Sequence, residues 1–223
     1  MTAKLFAQAM VKFFLGLICV AALLFLPAGS PDYWNGWLFL AILFVPMFAA
    51  GIFLMVRDPE RLKKRLNAKE EQSEQKAVIA LSGLMFLAAF VTAGLTYRFG
   101  WIAFPRWAVW LGVAVFLTAY LLYAEVLREN AFLSRTIEVQ ENQTVVDTGL
   151  YGVVRHPMYA VTLFLFLSMG LVLGSVVSFA ILLLYIPIIV RRIRNEEEVL
   201  EQGLAGYAEY KTRVKYRLFP LIW

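Results

Sequence analysis

The chain has 223 residues, of which 61% are hydrophobic and 17% charged, with a net charge of +5. A soluble domain carries about 25% charged and 45–50% apolar residues, and the apolar excess here falls in blocks near the roughly 20 residues needed to cross a bilayer, which excludes a soluble globular fold. One cysteine, Cys19, and one histidine, His156, exclude an intrachain disulfide framework and a thiolate or multi-histidine metal site, and the basic residues flank the apolar blocks, which fits a membrane surface and not nucleic acid.

Residues 13–26 form the first apolar block, preceded by Lys4 and Lys12 and followed by Ala28-Gly29-Ser30. A signal peptide has this outline; the other reading is a retained first span whose Lys12 snorkels to the headgroups. Residues 27–35 are rich in Pro, Gly, Asp and Asn and read as a turn. Residues 37–56 make a second span, with Tyr33, Trp34 and Trp37 as interface aromatics. The polar stretch 57–76 opens with Arg57-Asp58-Pro59-Glu60-Arg61-Leu62-Lys63-Lys64-Arg65. It predicts a loop with a helix lying on anionic headgroups. Residues 77–97 are a third span, 98–106 a short connection and 107–126 a fourth span.

Residues 128–155 form the longest polar stretch and contain Ile137-Glu138-Val139-Gln140 and Thr144-Val145-Val146. A loop of this length is uncommon unless functional or disordered. Residues 158–190 then carry no charge. As one helix they would run about 50 Å, against a hydrocarbon core of ~30 Å. Gly170, Gly174 and Ser175 offer a break, so a tight helical hairpin is expected. The tail from Arg191 is polar, amphipathic and basic.

These elements predict an all-α integral membrane protein with about six transmembrane helices, the last two a hairpin. Residues 1–127 form an N-terminal four-helix region, and residues 128–223 a C-terminal region of loop, hairpin and tail. All but Arg98 and Arg106 of the 21 lysines and arginines then fall on one side. The positive-inside rule makes that side cytoplasmic, with both termini on it. Membrane lipids are its expected surroundings, and nothing in the sequence specifies an oligomeric state.

Two runs carry chemistry. In Gly149-Leu150-Tyr151-Gly152-Val153-Val154-Arg155-His156-Pro157-Met158-Tyr159, Pro157 biases His156 away from helix and suits the first turn of the next one. The helix N-terminus then opens beside Arg155 and His156, where an anionic group is favoured; the plainer reading is a basic loop ahead of a membrane helix. In Arg191-Arg192-Ile193-Arg194-Asn195-Glu196-Glu197-Glu198, Arg192 and Glu196 share a helix face at the membrane boundary. The plainer reading there is a positive anchor followed by a solvated turn. The tail continues Gly206-Tyr207-Ala208-Glu209-Tyr210, whose aromatics either cover a ligand plane or lie at the interface.

Taken in order, Thr148-Gly149-Leu150-Tyr151, Arg155-His156-Pro157-Met158-Tyr159, a double span, Arg192-x-x-x-Glu196-Glu197, Leu200, Gly206-Tyr207-x-x-Tyr210 and Val214 resemble the isoprenylcysteine carboxyl methyltransferase family and the related membrane phospholipid methyltransferases. The resemblance covers about residues 125–220, and the first four spans look like bacterial members. It implies S-adenosyl-L-methionine as cofactor, in a cytoplasmic pocket built from the loop before the hairpin and the C-terminal tail of a bacterial inner-membrane enzyme. By position, Gln143, Thr144, Val145, Val146, Tyr151, His156, Pro157, Met158 and Tyr159 line that pocket. Glu196, with Glu197 as its backup, holds a polar or cationic part of the cofactor. Arg192 faces a substrate carboxylate, so Arg192 and Glu196 are the implied catalytic pair. One departure is that Ala160 and Val161 stand where the family often has glycine.

The implied reaction is methyl transfer to the carboxylate of a lipophilic or lipid-anchored, prenylcysteine-like substrate. An ionised carboxylate needs alignment and exclusion of water and no general base. Methylation of a lipid amine would require a base, for which His156 or a glutamate is available. A membrane reductase of the sterol-reductase kind shares a similar Arg-His-Pro region but uses a reduced nicotinamide cofactor.

Overall fold

The computed structural model describes residues 3–66, 73–133 and 139–223. The apolar runs are helical, as lipid demands, because in hydrocarbon every backbone N–H and C=O must be paired within its own segment. The order is α1 (Ala3–Ala28), α2 (Trp34–Arg57), α3 (Pro59–Leu66), α4 (Ser73–Phe99) and α5 (Arg106–Glu129). A 3-10 turn (Gly149–Gly152) follows, then α6 (Pro157–Val172), α7 (Val176–Leu182), α8 (Tyr185–Gly203) and α9 (Tyr207–Arg213). The expected Ile137 and Glu138 of the long loop, and residues 67–72, lie outside the described residues.

Among the described residues, five stretches are long and apolar enough to cross a bilayer: Leu5–Ala28, Trp34–Arg57, Lys76–Phe99, Arg106–Glu129 and Val176–Gly203. The sixth expected crossing, α6, has 16 residues, about 24 Å, short of the ~30 Å hydrocarbon core. The uncharged stretch 158–190 does fold back on itself. Gly174 turns the chain at φ 72°, a conformation that costs a residue with Cβ about 1–2 kcal/mol. Ser175 then caps α7 by accepting from Ser178 N at 3.0 Å.

The turn end of this hairpin is tied down from three sides. Tyr33 Oη donates to Leu173 O and Asn35 Nδ2 to Val172 O, both at 2.7 Å. Phe104 N donates to Gly174 O at 3.0 Å. The hydroxyls of Thr96 and Ser175 meet at 2.7 Å. These bonds satisfy carbonyls that the end of α6 would otherwise bury unpaired. Helices α5 and α6 pack closely: a Cβ on Gly112 would come within 2.6 Å of Leu171 Cβ and 3.0 Å of Val172 N. Phe39, Phe90 and Phe116 interlock in the core, and Leu24, Val172, Leu182, Ile189 and Ile193 are fully enclosed there. Trp37, Trp101, Trp107 and Trp110 stay exposed, as belongs to a lipid-facing surface with an aromatic belt.

Lys12 does not snorkel free. Its ammonium donates to Leu66 O at 2.6 Å, closing the last turn of α3. That helix buries Leu62 against Ala9 and Met55. The topology predicts that Ile102→Cys and Lys63→Cys, each in a Cys19→Ser background, react with an impermeant maleimide from opposite sides of a sealed vesicle. Ile102 is 73% exposed in the connection between α4 and α5, and Lys63 is exposed on α3. Labelling of both from one side would reject the bundle as built.

Candidate functional site

Helices α5 and α6 are antiparallel and meet at the hairpin-turn end, where Phe104 pairs with Gly174. Gly112 of α5 lies against Leu171 near the end of α6, so the start of α6 comes close to the last turns of α5, and a recess opens there between them, α8 and the segments that follow. The recess is walled by α8 and roofed by the 139–155 loop and the tail. Counting its open mouth, the space not filled by atoms is about 810 Å³.

The lining residues come from every part of that enclosure. Asn130, Phe132 and Leu133 follow α5, and Gln143, Thr144, Val145 and Val146 come from the loop. Tyr151, Arg155, His156, Met158 and Tyr159 surround the start of α6. Arg192, Glu196, Leu200, Leu204, Tyr207 and Tyr210 close it from α8 and the tail. The structure therefore brings together all but two of the residues singled out in the sequence.

The exceptions are Pro157 and Glu197. Pro157 is buried at the first position of α6, where it sets the helix start. Glu197 points the other way from Glu196, because successive helical residues diverge by about 100°. It is 3% exposed, and it accepts from Arg155 Nε at 2.8 Å, His156 Nε2 at 3.2 Å and Arg217 Nε at 2.8 Å. Glu197 is thus a buried counter-ion for the tail, which corrects its expected place in the pocket. The tail is also held through the backbone: Arg155 N donates to Tyr216 O and His156 N to Arg217 O, both at 2.9 Å. Arg155 Nη1 reaches Val214 O at 2.7 Å and Lys215 O at 2.9 Å.

On the cavity side, Tyr159 joins the expected pair. Arg192 Nε donates to its hydroxyl at 3.0 Å, and that hydroxyl donates to Glu196 Oε2 in close contact. The guanidinium, phenol and carboxylate thus form one chain along the wall shared by α6 and α8. Below it, Thr162 and Tyr185 meet at 3.2 Å inside the bundle. His156 faces the cavity and stacks near Tyr159, ring centroids 5.7 Å apart, but its Nε2 is committed to Glu197.

The 3-10 turn is positioned by Glu129 at the end of α5, whose carboxylate accepts from Leu150 N at 2.9 Å. Gly149 lies beside that carboxylate at φ 52°, a left-handed conformation that favours glycine. The turn carries Tyr151 inward, and Tyr210 Oη fixes it by donating to Tyr151 O at 2.7 Å. Two buried phenols face the cavity: Tyr207 Oη has no hydrogen-bond partner among the described residues, and Tyr151 Oη lies beside the Asn130 side chain. Buried hydroxyls are normally paired, and both of these residues line the cavity. Burial pushes both hydroxyls well above the usual tyrosine range, with the Glu197 and Glu196 carboxylates adding to the shift at Tyr207. Both therefore stay protonated and available as donors. Tyr207 carried no defined role in the sequence beyond its aromatic tail; its orphan hydroxyl becomes visible only once the tail is folded over the recess.

Residues 107–205, less than half of the chain, match the family model described as phospholipid methyltransferase. A comparison with curated proteins finds no match. The matched stretch runs from the start of α5 to the end of α8 and contains Tyr151, Tyr159, Arg192 and Glu196. With the apolar helices, it supports a membrane methyltransferase.

Proposed function

We propose that the chain is an S-adenosyl-L-methionine-dependent membrane methyltransferase that esterifies the carboxylate of a lipophilic, prenylcysteine-like acceptor. The observation that carries this reading is the Arg192–Tyr159–Glu196 chain on one wall of the recess. The cavity's residues fit the cofactor. Glu196 supplies an anion for its cationic part, and the N-terminus of α6 favours its carboxylate. The Tyr207 hydroxyl supplies a donor with no partner among the described residues. When bound, the cofactor supplies an electrophilic methyl group on a sulfonium.

The protein's part is alignment and dryness. Arg192 holds the acceptor carboxylate, Tyr159 fixes the guanidinium, and the 139–155 loop with the tail keeps water out. The end bearing the cavity is read as cytoplasmic because it carries all but two of the basic residues. A second reading, N-methylation of a phospholipid amine, is favoured by the family match; Glu196 would then take the proton, since His156 Nε2 is engaged.

Membranes containing the protein should transfer label from the methyl-tritiated cofactor to extracted lipids. A methyl ester releases volatile methanol in alkali, whereas an N-methyl group does not. Alkali-stable label would replace the carboxylate reading by the amine reading, and no transfer at all would reject both.

Cofactor affinity gives a further test. Glu196→Gln is expected to weaken it about ten- to hundredfold, the scale of one charge-assisted hydrogen bond. Tyr207→Phe is expected to weaken it by a smaller factor without lowering stability, since the lost hydroxyl has no partner in the protein. Calorimetric titration with both purified variants checks this, and unchanged affinity in both would remove the cofactor from this cavity.

A further inference from the structure

At the opposite end of the bundle, an open apolar groove runs along the C-terminal half of α1. It is lined by Ile18, Ala21, Ala22, Phe25 and Leu26, by the turn Gly29-Ser30-Pro31, and by Trp37 of α2. Trp37 is fixed as its side wall, with Nε1 donating to Pro31 O at 2.8 Å and its ring 4.6 Å from that of Phe25. From Ile18 to Gly29 the groove extends about 16 Å along α1, close to half of the ~30 Å hydrocarbon core. It has the length of one acyl chain in one leaflet.

The head of the groove carries a cation. The Arg98 guanidinium lies over Gly29, its atoms 3.5–3.6 Å from where a Cβ on that glycine would stand. It stacks on Phe99 at 5.5 Å, and among the described residues it has no ion-pair partner. Asp32, the one acid in the neighbouring turn, is exposed and unpaired with it. Ser30 Oγ accepts from Asp32 N at 3.1 Å, which leaves its own proton to donate. An unpaired guanidinium and a hydroxyl above an apolar channel of leaflet length match a phosphodiester with an attached acyl chain.

We propose that this groove is a binding site for one anionic phospholipid of the leaflet opposite the catalytic cavity, with its phosphate on Arg98 and Ser30 and one acyl chain against Ala21, Ala22 and Phe25. The site is separate from the methyl-transfer cavity and does not depend on that function.

The test is native mass spectrometry of the delipidated full-length protein titrated with phosphatidylglycerol. The wild type should take up one lipid at low concentration. Arg98→Gln, a surface change that leaves the bundle intact, should weaken that uptake about tenfold, the lower end for a charge-assisted contact. Ala22→Phe, which fills the channel, should weaken it comparably. Arg106→Gln, the other basic residue at this end, should leave it unchanged. Equal uptake by all four proteins, or an equal loss in Arg106→Gln, would overturn the site. Competition by millimolar inorganic phosphate alone would also overturn it, by showing an ion site without an acyl channel.

Discussion

Glu197→Ala should lower stability by about 3–5 kcal/mol, the cost of removing one partner from a buried ion pair. Among the described residues its carboxylate is the one acid paired with Arg155, His156 and Arg217, in a pocket where the Arg155 and His156 side chains are 5% and 4% exposed. Without it, Arg155 keeps its charge and retains only the carbonyls of Val214 and Lys215. The cluster need not make a large net contribution while intact, because desolvating its members offsets much of their attraction. Removing one member leaves that desolvation uncompensated. For a chain of this size the apparent melting temperature should fall on the order of 10 °C. Because the same cluster holds residues 214–217 against the start of α6, cofactor binding should fall with it. Glu196→Gln should do the reverse, weakening cofactor binding while leaving the melting temperature near wild type. Thermal unfolding of both variants in one detergent decides the matter. A stable Glu197→Ala protein would show that the tail is held by its backbone bonds alone.

That contrast marks where the sequence stops being informative. Glu196 and Glu197 are adjacent and chemically identical, and both sit one helical turn after the arginines. Which of them faces the ligand depends on the rotation of α8 relative to α6, and that rotation is fixed by Ile189 and Ile193 packing into the core. The hairpin was legible, because an uncharged stretch well beyond the length of one crossing must turn and Gly174 offers the place. The shortness of α6 was not, since the same apolar residues would serve a longer helix. The residues gathered around the recess were legible mainly as an ordered set of motifs. Composition alone marked them only as loop and tail. The close contact of α5 with α6 was hidden as well. It occurs through Gly112 against Leu171, on a different helix from Ala160 and Val161.

Arg192→Lys separates the two roles open to this residue, and it bears most directly on the proposed reaction. As a marker of the membrane boundary, Arg192 would be one of three arginines after the last apolar turn, and lysine would replace it without loss. In the structure Arg192 lines the cavity and donates through Nε to the Tyr159 hydroxyl, which is itself bound to Glu196. A planar guanidinium can hold that phenol with one edge while presenting a second, parallel pair of donors to a carboxylate. A lysine ammonium has one nitrogen and cannot do both in a fixed plane. The substitution should therefore keep the fold, and keep cofactor affinity within a few-fold, while turnover falls on the order of a hundredfold, the cost of a misplaced near-attack geometry. The measurement is cofactor affinity and single-turnover rate on the same purified variant. Loss of both together would assign Arg192 to the cofactor. Wild-type turnover would leave it as an anchor and move the acceptor's polar group elsewhere on the wall, with Glu196 the next candidate to meet an amine.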